Sequence, residues 1–262
     1  MNFFTIASGS AGNAYYLGLG DKHFLIDAGV SGKKIEHALY KMNIRSLDGI
    51  FITHEHRDHI SGAGVIARRF KTDIYAAPLT WRYFSRHKNL GALNETQMKI
   101  IEPDKPIIIG GAKVMAFNVP HDASQPVGYV FSAVSDESEK FAIATDLGHA
   151  DDNIKERLKG ARILLLESNH DPEMLQRGRY HPTLKVRVAG NRGHLSNAQA
   201  GMILSEVATN KTHVFLAHLS EENNTPMLAF DTVQRVLDGN NVSVARLEVA
   251  ERNIPGEMVS YL

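Results

Sequence analysis

Cysteine is missing from all 262 residues. That excludes disulfides and removes thiolate from any set of metal ligands. Long apolar runs are missing too; nothing approaches the roughly 20 residues of a membrane span. The opening residues, Met1-Asn2-Phe3-Phe4-Thr5-Ile6, lack the basic region of a secretory signal. A reducing, cytoplasmic setting away from any membrane is therefore the expectation. Net charge is absent as well: 29 basic and 29 acidic residues cancel, so attraction to a polyanion must be local. The remaining composition is ordinary, 43% hydrophobic and 22% charged. No linker, repeat or low-complexity stretch divides the chain, and a single domain over residues 1–262 is expected.

What is there is concentrated in Thr53-His54-Glu55-His56-Arg57-Asp58-His59. The apolar run Ile50-Phe51-Ile52 before it reads as a buried strand. His54 and His56, two apart on an extended segment, turn their rings the same way. Asp58 and His59 follow once the chain begins to turn and reach a second point nearby. Three imidazoles and a carboxylate in six residues suit a divalent transition metal, with nitrogen and oxygen donors together. A solvated polar loop is the bland alternative, and this pattern is too specific for it.

Several other strands end in a polar residue. The first hairpin turns on Ser8-Gly9-Ser10-Ala11-Gly12-Asn13, small residues that allow close approach to the backbone. This is either a plain turn or a wall of a site. Phe24-Leu25-Ile26 ends at Asp27, and a helix is predicted over residues 32–42. Residues 100–119 read as a β-meander broken at Gly110-Gly111 and ending at Pro120-His121. The strand at 141–145 leads to Asp146, the buried strand at 162–166 to Glu167, and the strand at 212–217 to His218. Residues 172–193 read as helix plus loop, Asn197 as the cap of the next helix, and residues 242–249 as the last long strand. Early meanders followed by alternating helices and strands fit an α/β (α+β) fold, sheets packed face to face with helices outside. Loops at one edge of such sheets can gather His121, Asp146 and His218 around the first motif.

With these residues in order, the chain resembles the metallo-β-lactamase superfamily of metallohydrolases. The resemblance implies a four-layer αβ/βα sandwich with two divalent metal ions at one edge. His54, His56, His121 and Asp146 would hold the first ion. Asp58, His59, Asp146 and His218 would hold the second, with Asp146 bridging. The ligand types suit Zn2+ or Mn2+ and do not exclude Fe2+. Three further stretches, at 8–13, 187–197 and 217–224, look like the YycJ (WalJ) group of bacterial proteins, associated with exonuclease action on DNA from the 5′ end. Gly193-His194-Leu195-Ser196 also resembles a box of the tRNA 3′-processing phosphodiesterases, in which the histidine assists the leaving group. Glu167 would orient His194. His181 stands where the group's pattern suggests a second proline before Pro182.

The expected function is a metal-dependent phosphodiesterase, a 5′-to-3′ DNA exonuclease using a two-metal-bound hydroxide. Asp58, His194 and Glu167 are the expected catalytic residues. The alternatives are an RNA phosphodiesterase of ribonuclease Z type and a small-molecule ester or thioester hydrolase. Nucleic acid is the expected partner, DNA ahead of RNA. From Arg177 through His194 there are five Lys and Arg residues, Arg177 included, and no acidic one. Arg179, Lys185, Arg187 and Arg192, with Ser10 and Asn13 of the first turn, are the expected contacts to substrate phosphates. His149 and His170 lie near Asp146 and Glu167 in sequence, and supporting roles are open to them.

Overall fold

The computed structural model describes residues 1–261. Two mixed sheets, each of seven strands among these residues, face each other. The first holds β1 (Asn2–Ala7), β2 (Ala14–Leu19), β3 (Lys22–Ile26), β4 (Gly49–Phe51), β5 (Ile74–Ala76) and β6 (Met98–Ile100). The second holds β7 (Ile107–Ile109), β8 (Ala112–Asn118), β9 (Val127–Ala133), β10 (Lys140–Ala144), β11 (Ile163–Glu167), β12 (His213–Ala217) and β13 (Arg246–Val249). A short β14 (Val259–Ser260) returns to the first sheet beside β1.

Each sheet changes character partway. Strands β1 to β3 and β7 to β10 pair antiparallel, whereas β3 to β6 and β10 to β13 pair parallel. Tight turns join antiparallel neighbours, but parallel ones need crossovers, and the crossovers bring helices. On the first sheet these are α1 (Gly32–Lys41), α2 (Arg57–Ile60), α3 (Ala63–Phe70) and α4 (Pro78–His87). On the second they are α5 (Asp152–Leu158), α6 (Pro172–Arg177), α7 (Pro182–Val188), α8 (Asn197–Val207) and α9 (Pro226–Gly239). No helix among the described residues is long and apolar enough to cross a membrane.

The central core lies between the sheets and is rich in aromatics. Phe51 and Phe131 meet edge to face at 5.0 Å, with Phe24, Tyr129 and Phe141 around them. Two outer cores pack helices on the far faces. Ile35, Leu39, Ile66 and Trp81 cover the first sheet, and Leu158, Leu204, Val233 and Leu237 cover the second. Helix, sheet, sheet, helix is the expected four-layer sandwich, and it leaves the carboxyl ends of the parallel strands open at one edge.

Four local expectations shift. The 100–119 run is not one meander: β6 closes the first sheet, and the second begins at β7, after Pro103 and Pro106 interrupt the pairing. The region 172–193 holds two helices, each with proline at its first turn and a capping side chain, Asp171 and His181. The cap of α8 is Ser196 rather than Asn197, in a box with Gln199. The 242–249 run gives only the four residues of β13, because Val242 N donates to Leu237 O and finishes α9 instead.

Phe131→Ala leaves a void where the two sheets meet, and a loss of about 3–5 kcal/mol is expected in urea denaturation.

Candidate metal centre

The site is assembled where strands stop. Asp27 follows β3, the His54–His59 segment follows β4, Asp146 follows β10, and His218 follows β12. Asp27, Asp146 and His218 all take left-handed backbone conformations, with φ of 55°, 57° and 55°. Such φ values are uncommon for residues other than glycine, and here they turn the chain sharply as each strand ends. Gly29 permits the closest approach: a Cβ there would lie 1.5 Å from the Asp58 carbonyl oxygen. The first turn, the β3 end and α2 are consequently laced together. Asn13 N donates to Asp58 O, Gly29 N to Asn13 O, and Ala28 N to His59 O, at 2.8, 2.7 and 2.7 Å.

Four imidazoles are anchored through Nδ1 and turn Nε2 toward one space. His59 Nδ1–H donates to Asp27 Oδ2 at 2.7 Å, and His218 Nδ1–H to Glu167 Oε1 at 2.8 Å. His121 Nδ1–H donates to Gly193 O at 3.1 Å. His54 Nδ1–H donates to Thr53 Oγ1 at 3.1 Å, and that hydroxyl donates to Asp27 Oδ2 at 2.9 Å. A fifth ring joins them: His56 Nδ1 faces His54 Nε2 at 2.9 Å.

The donor atoms fall into overlapping groups, within each of which they lie at most 4.8 Å apart. One group is His54, His56 and His121; another is Asp58, His59 and His218. Asp146 links the halves, lying 3.3 Å from His59 Nε2, 3.5 Å from His218 Nε2 and 3.8 Å from His121 Nε2. Asp146 Oδ2 and His218 Nε2 are buried without a hydrogen-bond partner. Orphaned donors of opposite type in one dry cluster are costly unless a cation takes both. The residues therefore fit divalent metal ions.

The electrostatics divide the same way. Burial opposes charge on His218, but Asp146, Asp58 and Glu167 prevail and push its pKa up to about 10. Burial opposes charge on His59 too, and Asp27, Asp146 and Asp58 outweigh it. His54 moves well down, first through burial and then through the charge of neighbouring His59, His121 and His56. Asp58 is held far below the usual carboxylate range: burial would raise it, but His59 and His218 lower it more. The lowered His54 offers a neutral nitrogen, while the acids on the other side hold His59 and His218 protonated; a divalent ion would take the place of those protons.

His194 stands beside this cluster on the loop before α8. Its Nδ1–H donates to Glu167 Oε1 at 2.9 Å and lies 3.7 Å from Asp146 Oδ1. Glu167 is fully buried and also accepts from the backbone N–H groups of Asp146, Leu147 and Leu195. The phosphate candidates are placed differently from one another. Ser10 and Arg179 are exposed. Asn13 is buried, its amide spent on Gly9, Asp58 and the space 3.2 Å from His59 Nε2. Lys185 Nζ donates to Gln176 O, Arg187 Nε to Asp122, and Arg192 to His121 O. His149 leans on Asn191 O at the surface, and His181 caps α7. His170 is buried, its Nδ1 unpartnered.

Asp27, and the anchoring role of Thr53, escaped the sequence reading. The signal was a lone acid at the end of an apolar strand, which is also what a turn looks like.

Comparison with known proteins gives consistent results. Residues 22–219 match the beta-lactamase superfamily domain. The chain is 40% identical over 248 residues to exodeoxyribonuclease YycJ of Bacillus anthracis, covering 93% of this chain and 92% of that protein. It is 40% identical over 231 residues to exodeoxyribonuclease WalJ of Streptococcus pneumoniae, covering 87% and 85%. Among solved structures, the metallo-beta-lactamase fold protein YhfI from Bacillus subtilis superposes with a TM-score of 0.72 at 18% identity, covering 97% of this chain and 98% of that one.

Asp27→Asn removes the charge that fixes His59 and Thr53, and metal affinity is expected to weaken about 10–100-fold in a competition titration. His170, lowered to about 4 chiefly by burial, binds its proton more weakly folded than unfolded. Its contribution to stability is thus complete above about pH 6.5 and lost as pH falls toward 4. His170→Gln should remove up to about 3 kcal/mol of that acid sensitivity in denaturation curves taken at pH 7 and pH 4.5.

Proposed function

The chain belongs to the beta-lactamase superfamily, and from that premise we propose that it is a metal-dependent exodeoxyribonuclease removing nucleotides from the 5′ end of DNA. The observation that carries the reading is His194, held by Glu167 at 2.9 Å beside the donor cluster. A departing alkoxide needs a proton, and a fixed imidazole next to a cation site supplies one.

Two divalent ions, Zn2+ or Mn2+, held by the two sets of residues joined at Asp146, would supply an activated water near neutral pH and positive charge against the phosphate oxygens. Asp58, with one oxygen 3.4 Å from His59 Nε2 and 3.5 Å from His218 Nε2, orients the attacking water. Glu167 stays ionised despite burial, because His194 and His218 lower its pKa. Burial works against a charge on His194, and Glu167 and Asp146 overcome it. His194 is therefore the protonated partner. With Nδ1 tied to Glu167, it gives the proton from Nε2 to the 3′-oxygen of the terminal nucleotide. The phosphorus–O3′ bond breaks, the water oxygen stays on phosphorus, and the shortened strand keeps a 5′-phosphate. Exposed Arg179 meets a neighbouring phosphate. Relatives 40% identical to this chain over 248 and 231 residues are named for action on DNA, which favours DNA over RNA.

With Zn2+ or Mn2+ added, labelled 5′-phosphorylated duplex DNA should be cut in preference to matched RNA or a thioester. His194→Ala is expected to slow cleavage by about 10²–10⁴-fold with metal content unchanged by elemental analysis. Asp58→Ala should abolish turnover in a folded protein. A faster thioester reaction, or metal lost from the His194 variant, would sink the reading.

A further inference from the structure

A cavity of about 170 Å³ opens beside His194, and the steps above leave it unused. We propose that it holds the base of the terminal nucleotide, the one that departs. The proposal rests on the exodeoxyribonuclease reading and adds what limits each cut to one nucleotide.

Three observations point there. The first is shape. Leu184 and Val188, four residues apart, share one face of α7, and Tyr180 stands just before that helix. They form an apolar wall with an aromatic ring in it. Ser10, Asn169 and Ser220 line the cavity as well. The volume is below the roughly 300–1,000 Å³ of sites for drug-sized ligands. One flat ring system fits, and a second nucleotide does not.

The second is charge. A phosphate would need an uncommitted cation. Arg187 is the arginine at this cavity, and its Nε already donates to Asp122, whose other oxygen lies 3.3 Å from His121 Nε2. The Arg187–Asp122 pair is neutral, which leaves His194 as the cation at this cavity, and its proton is committed to the departing oxygen. Apolar side chains together with hydrogen-bonding groups suit a heteroaromatic ring instead. Ser220 Oγ accepts from Asn223 N and keeps its own hydrogen to give. Asn169 Nδ2 donates to His218 O and keeps Oδ1 to accept. One donor and one acceptor can serve any of the four bases, as a strand-degrading enzyme requires.

The third is position. His194 lines the same cavity. If its proton goes to the departing 3′-oxygen, whatever fills the space beside it belongs to the departing nucleotide. A pocket for one base on that side sets the cut one nucleotide from the end.

The test uses the full, metal-loaded chain and 5′-phosphorylated duplex DNA, its terminal nucleotide either ordinary or lacking its base (a tetrahydrofuran residue). In the wild type, removing the base should lower kcat/KM about five- to hundredfold, the range of one stacked base. In Tyr180→Ala that penalty should shrink to about twofold or less. Leu184→Trp fills the cavity and should reverse the preference, so that the abasic end is cut faster; it also carries the test if Tyr180→Ala fails to fold. No penalty in the wild type, or the same penalty in the wild type and both variants, would overturn the pocket. A wild type that hydrolyses bis(4-nitrophenyl) phosphate but no DNA would overturn the exodeoxyribonuclease reading itself, and the pocket with it.

Discussion

A single buried carboxylate governs the second sheet's half of the site. Glu167, the last residue of β11, receives the Nδ1 protons of both His194 and His218 and three backbone N–H groups. An isolated ion so deep would cost several kcal/mol. Five donors converging on it offset that cost and fix two imidazoles and the loop carrying Asp146 at once. Asp27 does the equivalent work at the end of β3, joining His59, Thr53 and through Thr53 also His54. Each sheet thus contributes one buried acid, and together these acids aim His54, His59, His194 and His218, while Gly193 O holds His121.

The geometry explains why strand ends matter more than helices here. The parallel halves of both sheets stop at the same edge, and three of the residues there bend into left-handed backbone conformations. Extended strands deliver Cα positions with little freedom. The sharp turns then re-aim the side chains inward without a long loop whose entropy would loosen them.

Much of this was legible in advance, for identifiable reasons. The His54–His59 motif is local, so spacing alone places its donors. His121, Asp146 and His218 became legible only together, through a family resemblance that supplied the order. Asp27 was hidden because an acid after Ile26 looks like any turn, and its partner His59 is 32 residues away. Helix α7 was obscured by its basic, proline-led sequence, yet it provides a wall of the cavity beside His194. The displacement of β6 into the first sheet was also illegible. Ile100 and Ile107 look alike in sequence, and only long-range pairing sends them to different sheets.

The donors cluster at the seam between sheets: His54, His56, Asp58 and His59 come from the first, His121, Asp146 and His218 from the second. Cations bound there would act as cross-braces, adding about 2.7 kcal/mol of mass-action stabilisation at a hundredfold excess over the dissociation constant. That stabilisation would resist splaying of the two halves more than fraying at their outer rims. Chelation would accordingly be felt by the aromatic interior, far from the edge where these donors sit.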